Sequence, residues 1–155
     1  MKLAKKIFLG ALVFVLAALL GTVYMFFTFK NKEVEVKIGE NSFKVEVAET
    51  SGRQAKGLSF RDSLDKDAGM LFEFGGEVKP SFWMMGMRFP IDIIWIKNNR
   101  VVGIEKNVPA PEKGIPEAAL KVYNPPESVD RVLEINAGLS DSLGIKIGDS
   151  FAIIR

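Results

Sequence analysis

The sequence predicts a mostly β domain, an antiparallel β-sandwich or partly closed barrel of jelly-roll character with two or three short helices, behind one N-terminal transmembrane helix. Three observations lead there. Short apolar runs recur between glycine, asparagine and proline punctuation all along residues 33–155. One long apolar stretch, Ile7 to Phe29, carries no charge. Cysteine is absent, so stability has to come from an ordinary core and not from cross-links.

As a helix rising about 1.5 Å per residue, the 23 residues from Ile7 to Phe29 would span roughly 34 Å, enough for a hydrocarbon core of about 30 Å. A cleaved signal peptide has a shorter apolar region, about 7 to 15 residues, followed by a small-x-small site, and Tyr24-Met25-Phe26-Phe27 does not supply one. An uncleaved anchor is therefore expected. Lys2, Lys5 and Lys6 precede it, whereas Lys30 and Lys32 are soon offset by Glu33 and Glu35. That bias places the N-terminus inside and the globular part outside the cytoplasmic membrane. The chain then divides into a basic flank (1–6), an anchor (7–29), a short spacer (30–33) and a single β-rich domain (34–155).

In the domain, Val34, Val36 and Ile38 alternate with charged residues, and Phe43, Val45 and Val47 do the same beyond a Gly39-Glu40-Asn41 turn, which reads as a hairpin with one wet face. Ser51 and Gln54 match a capping box and Gly57 a helix end, so a short helix is expected over Thr50 to Leu58. Met70, Leu71, Phe72 and Phe74 form a strand expected to stop at Gly75-Gly76. Ile91 to Ile96 is apolar on both alternating faces apart from Asp92, as suits a central strand buried on both sides. Asn98-Asn99 then supplies the positive φ of a two-residue hairpin turn leading into Val101 to Ile104. Gly86 and Pro90 bend the segment before the central strand, bringing Trp83, Met85 and Met87 toward a rim. Five prolines between Pro109 and Pro126 mark a surface excursion with one turn of helix at Glu117 to Lys121. Arg131 to Ile135 reads as a strand, Leu139 to Leu143 as a short helix closed by Gly144, and Phe151 to Ile154 as the last strand.

Charge and residue usage narrow the function classes. From Glu33 onward 16 basic residues stand against 19 acidic ones, so the basic pI belongs to the N-terminal end and nucleic acid is not an expected partner. With neither histidine nor cysteine, the usual near-neutral acid or base and the usual thiolate and imidazole metal ligands are missing. Asp62, Asp65 and Asp67 lack the spacing of a calcium loop, since Leu64 and Lys66 take two of the ligand places. No cofactor or metal is expected, and phosphate loops, nucleophile elbows and dinucleotide fingerprints are absent.

Gly57-Leu58 with Arg61, Gly69-Met70-Leu71-Phe72, Phe82-Trp83-Met84, Pro90-Ile91-Asp92-Ile93-Ile94, Val132-Leu133-Glu134 with Ala137-Gly138, and Gly148-Asp149 occur in this order. Together they resemble the domain of unknown function 192 family, small bacterial and archaeal proteins, over residues 43–154. The resemblance implies a single β-rich domain of barrel or jelly-roll character and no established activity. Met85, Gly86 and Met87 stand where that family often has Lys-Asn-Thr, and Ser59 stands where a methionine is usual.

Asp92 is the most informative acid, because a carboxylate among isoleucines needs an arginine or several backbone donors. Arg61, Arg88 and Arg131 are the candidate partners. Trp83, Met85 and Met87, with Arg61 and Asp92, form the expected ligand-binding groove of a binding or accessory module for a small molecule, a polysaccharide of the envelope or a protein. The alternative enzyme reading is a hydrolase with Asp92 and Glu134 as paired carboxylates and Arg61 as anion stabiliser, which requires the two acids about 5 to 10 Å apart across one cleft. A third reading makes the domain purely structural. Oligomeric state is open.

Overall fold

Alternating valines and isoleucines build the first hairpin of the computed structural model, which describes residues 32–154 together with Val15 alone. The expected anchor, Ile7 to Phe29, lies outside the described residues but for Val15, and among the described residues no helix is long and apolar enough to cross a membrane. Strand β1 (Glu33–Ile38) pairs antiparallel with β2 (Asn41–Ala48), Val36 opposite Phe43. On its other side β1 pairs with β9 (Phe151–Ile154), the last strand of the chain, Glu35 opposite Ile154.

After β2 the chain departs from the antiparallel pairing expected of most of the sheet. Helix α1 (Ser51–Lys56) and the loop behind it cross over, and β3 (Ala68–Val78) returns parallel to β2, Val47 opposite Leu71. A parallel neighbour needs such a crossover, which a tight turn cannot provide. The helix is capped by Thr50, whose hydroxyl accepts from the Arg53 N–H at 3.4 Å, so the expected box on Ser51 moves back one residue. The Gln54 side chain instead donates to the carbonyls of Ala48 (3.3 Å) and Glu73 (2.8 Å). Strand β3 also runs on past Gly75-Gly76, with a register shift against its partner between Glu73 and Val78 that absorbs the glycines as an irregularity within the strand.

The remaining order is β4 (Phe82–Trp83), β5 (Ile91–Lys97), β6 (Arg100–Val108), a 3₁₀ turn at Glu117–Ala119, β7 (Val122–Tyr123), β8 (Val129–Asn136) and α2 (Leu139–Ser142). The sheet has seven strands in the order β6-β5-β8-β3-β2-β1-β9, and β4 and β7 form a separate ribbon. As expected, Ile91 to Ile96 are all buried and the Asn98-Asn99 turn has φ of 49° and 60° at its two centres. The edge strands meet at one end: Arg100 bridges Ser150, Val101 N–H donates to the Asp149 carbonyl (3.0 Å) and Phe151 N–H to that of Asn99 (2.8 Å). Of the two expected architectures, the curled, partly closed sheet is the one formed.

Each face of the curl buries its own core. Val36, Phe43, Leu71, Ile94, Ile135 and Phe151 form one, and because they come from both halves of the sheet this core fills the concave side. Met70, Phe72, Ile93, Trp95 and Val132 form the other on the convex side, covered by Leu58, Met84 and Tyr123 from the connections. Phe82 of the ribbon meets Phe72 edge-on at 4.9 Å and Trp95 at 5.5 Å, so the short ribbon is anchored by aromatic contacts. The proline-rich excursion thus returns through β7, which pairs with β4 and covers the convex core with Tyr123.

Candidate functional site

The pairing register separates the two acids on which an enzyme reading depends. In β5 and β8, Asp92 lies opposite Ile135 and Ile93 opposite Glu134. Side chains alternate along a strand, so Asp92 shares the concave face with Ile135 and Ile94, while Glu134 shares the convex face with Ile93 and Met70. The sheet itself stands between them. Paired carboxylates flanking one substrate are therefore not formed, and the expected hydrolase geometry of Asp92, Glu134 and Arg61 is corrected on that ground.

Asp92 is fully buried and its oxygens are occupied. One oxygen accepts from the backbone N–H groups of Asn107 (2.7 Å) and Gly138 (3.1 Å), the other from the N–H (2.9 Å) and hydroxyl (2.6 Å) of Ser140. It ties the end of β6 and the start of α2 to the central strand. No arginine is needed, because backbone donors already match the charge.

Glu134 has the opposite surroundings. It is 6% exposed and its Oε2 is a buried oxygen with no hydrogen-bond partner. Burial pushes its carboxyl up to about 8, against the pull of the Arg61 charge, so it is a neutral acid at pH 7. Arg61 is committed elsewhere: its guanidinium forks onto Glu46, with Nη2 to Oε2 at 2.9 Å, and Arg53 adds a second contact to the same carboxylate at 3.3 Å. The Arg61 hydrogen bond holds Glu46 below its usual value. Glu134 lies beside this charged group without joining its hydrogen bonds.

In front of Glu134 opens a pocket of about 240 Å³. Phe72, Phe74, Phe82, Trp83, Leu58 and Met87 supply apolar walls, and Gln54, Lys56, Ser59 and Ser81 the polar ones. Glu134 is the one acidic residue on that lining. Gly57, which closes α1 with φ 50° and ψ −136°, lets the wall come this close: a Cβ there would sit 3.4 Å from the Phe72 ring and 4.0 Å from Glu134 Oε2. Only glycine holds such a backbone without strain.

The structure thus brings Trp83 and Met87 of the expected groove to one pocket, and brings Glu134 with them. Trp83 stands 47% exposed at the mouth, while Met87 is buried in the convex core, because Gly86 (φ 70°) breaks the alternation that would have put both at the rim. Arg61 is not on that lining and acts on Glu134 as a nearby charge. Met85 is half-buried outside the lining, its carbonyl taken by the Ser59 hydroxyl at 2.6 Å, and Asp92 faces the other core. Sequence reasoning missed Lys56, Gly57, Phe72 and Phe74 as pocket residues. Their signal was present only as a helix end and an apolar run. Among the described residues no group of three or more acidic, histidine or cysteine side chains could hold a metal ion.

This architecture recurs in solved structures. A protein of unknown function from Novosphingobium aromaticivorans DSM 12444 is 35% identical, the match covering 77% of this chain and 84% of that one at a TM-score of 0.69. A "putative transcription regulator" from Sinorhizobium meliloti 1021 is 27% identical, with 80% and 95% covered and a TM-score of 0.71. No curated protein matches the chain. The family model DUF192, "Uncharacterized ACR, COG1430", matches residues 34–153, most of the chain and nearly all of the described sheet, and the protein belongs to that family.

Proposed function

We propose that the domain is a binding module whose convex-face pocket takes a small, largely apolar molecule. The observation that carries this reading is the buried Glu134 oxygen, left without a partner on the lining of an aromatic pocket. An unsatisfied buried oxygen costs about 1 to 3 kcal/mol, and a ligand that supplies the missing hydrogen bond recovers part of it. The pocket volume, about 240 Å³, favours a small molecule over a polysaccharide or a protein segment. Trp83, half exposed on the ribbon at the mouth, is placed to close over an apolar ligand.

A small-fragment screen tests the reading by thermal unfolding of the full-length chain. Hits are expected to raise the midpoint of the wild type and to lose that effect in Trp83→Ala, which opens the mouth, and in Ala55→Phe, which fills it from the exposed face of α1. Equal shifts in all three proteins sink the pocket. The same proposal puts the domain outside the cytoplasmic membrane, supported by the charge-free run Ile7 to Phe29 and the lysines before it. Protease added to intact cells should then digest the domain; protection there overturns the placement.

A further inference from the structure

Resting on that pocket reading, we propose that its ligand class is a small organic monocarboxylate with an aryl or short alkyl body, the carboxylate accepting a hydrogen bond from the Glu134 O–H. The body is set by the walls: Phe72, Phe74, Phe82, Trp83, Leu58 and Met87 offer apolar surface around a volume of about 240 Å³. The head group is set by charge. Glu134 is the one acid on the lining, Lys56 stands on the wall, and Arg61 lies within electrostatic reach of Glu134. Across the ladder Glu134 faces Met70 on β3 and Ile93 on β5, both apolar, with Glu105 on β6 one strand farther along.

Glu46, which pairs with Arg61, is bound by Arg53 as well. The pocket therefore presents a neutral acid among positive neighbours, which suits an anionic acceptor. An amine would also find aromatic walls, but it would need Glu134 ionised and would face Lys56 and Arg61. The two ligand classes respond to pH in opposite senses. A carboxylate binds the protonated acid and loses affinity as pH rises past 8, whereas an amine binds the ionised form and gains.

The test is calorimetric titration of the full-length chain, kept in lipid nanodiscs on account of its apolar residues 7–29, with phenylacetate, phenethylamine and benzyl alcohol. Phenylacetate is expected to bind tightest of the three at pH 6.5 and to weaken about tenfold at pH 9, because only about one Glu134 in eleven is still protonated there. Glu134→Gln, which cannot ionise, is expected to flatten that pH dependence; the comparison among the three probes stands on the wild type alone should the variant fail to fold. Tighter binding of phenethylamine, rising toward pH 9, overturns the carboxylate class and leaves the pocket reading intact. Equal binding of phenylacetate and benzyl alcohol at both pH values does the same. If no probe binds, or if Trp83→Ala binds all three as the wild type does, the pocket reading itself fails and the ligand class with it.

Discussion

Asp92 accepts four hydrogen bonds, two from the backbone of Asn107 and Gly138 and two from Ser140, whereas Glu134 Oε2 on the neighbouring strand accepts none. Removing Asp92 leaves four donors unmet in a dry interior, so Asp92→Ala is expected to lower the unfolding free energy by about 4 kcal/mol, read from the urea midpoint. Ser140→Ala removes only one of those contacts and should cost about 1 kcal/mol. For Glu134 the sign runs the other way. Its folded value, about 8, lies above the unfolded value of 4.5, so between these the unfolded chain gives up a proton that the folded chain keeps. The contribution of this carboxyl to stability is greatest below pH 4.5, falls as pH rises to 8, and flattens beyond it. The span corresponds to about 5 kcal/mol at 1.36 kcal/mol per unit. Glu134→Gln abolishes this slope. The expected result in urea titrations at pH 4.5, 6.5 and 8 is a variant that gains on the wild type as pH rises; a constant difference between the two would refute the buried neutral acid.

At the scale of elements, α1 is only six residues long and none of them is buried, so packing of an apolar face does not hold it. Gln54 does, by bridging the end of β2 to the middle of β3 through two carbonyls. Gln54→Ala is expected to cost about 1 to 2 kcal/mol and to speed amide exchange at Gly57 and Leu58, with little change in β5. The helix was legible because its signals are local: Gly57 ends it, and Thr50 sits one place from the expected cap. The Asn98-Asn99 hairpin was legible for the same reason. The parallel pairing of β2 with β3 was not, since nothing in either strand records which neighbour it will take. Nor could alternation show that Asp92 and Glu134 face apart. It gives the parity within each strand, but the register between β5 and β8 joins residues some forty positions apart in the chain. The pocket inherits that limit: Trp83 and Glu134 each stood out in the sequence, and only the fold of the ribbon over the sheet puts them together.

Over the whole molecule, one sheet carries two cores, and the division of labour follows the two faces. The concave core is closed at one end by α2 and held by Asp92, with its polar groups satisfied. The convex core is covered by short connections, β4, β7 and α1, and it is there that a pocket and an unmet oxygen occur. A rigid inner face supporting a lightly covered outer one is the usual placement of binding residues on a scaffold. The sheet order has one more consequence. Because β1 and β9 run side by side in opposite directions, with Glu35 opposite Ile154, the first and last described residues of the domain emerge together. A short linker joining residue 154 to residue 32, with new ends opened between the exposed Lys113 and Gly114, should yield a circular permutant whose circular dichroism and urea midpoint stay close to the parent's. The same adjacency means that a reporter fused after β9 would ride beside the point where the N-terminal segment joins, so a cargo carried at either end of the domain would share one address.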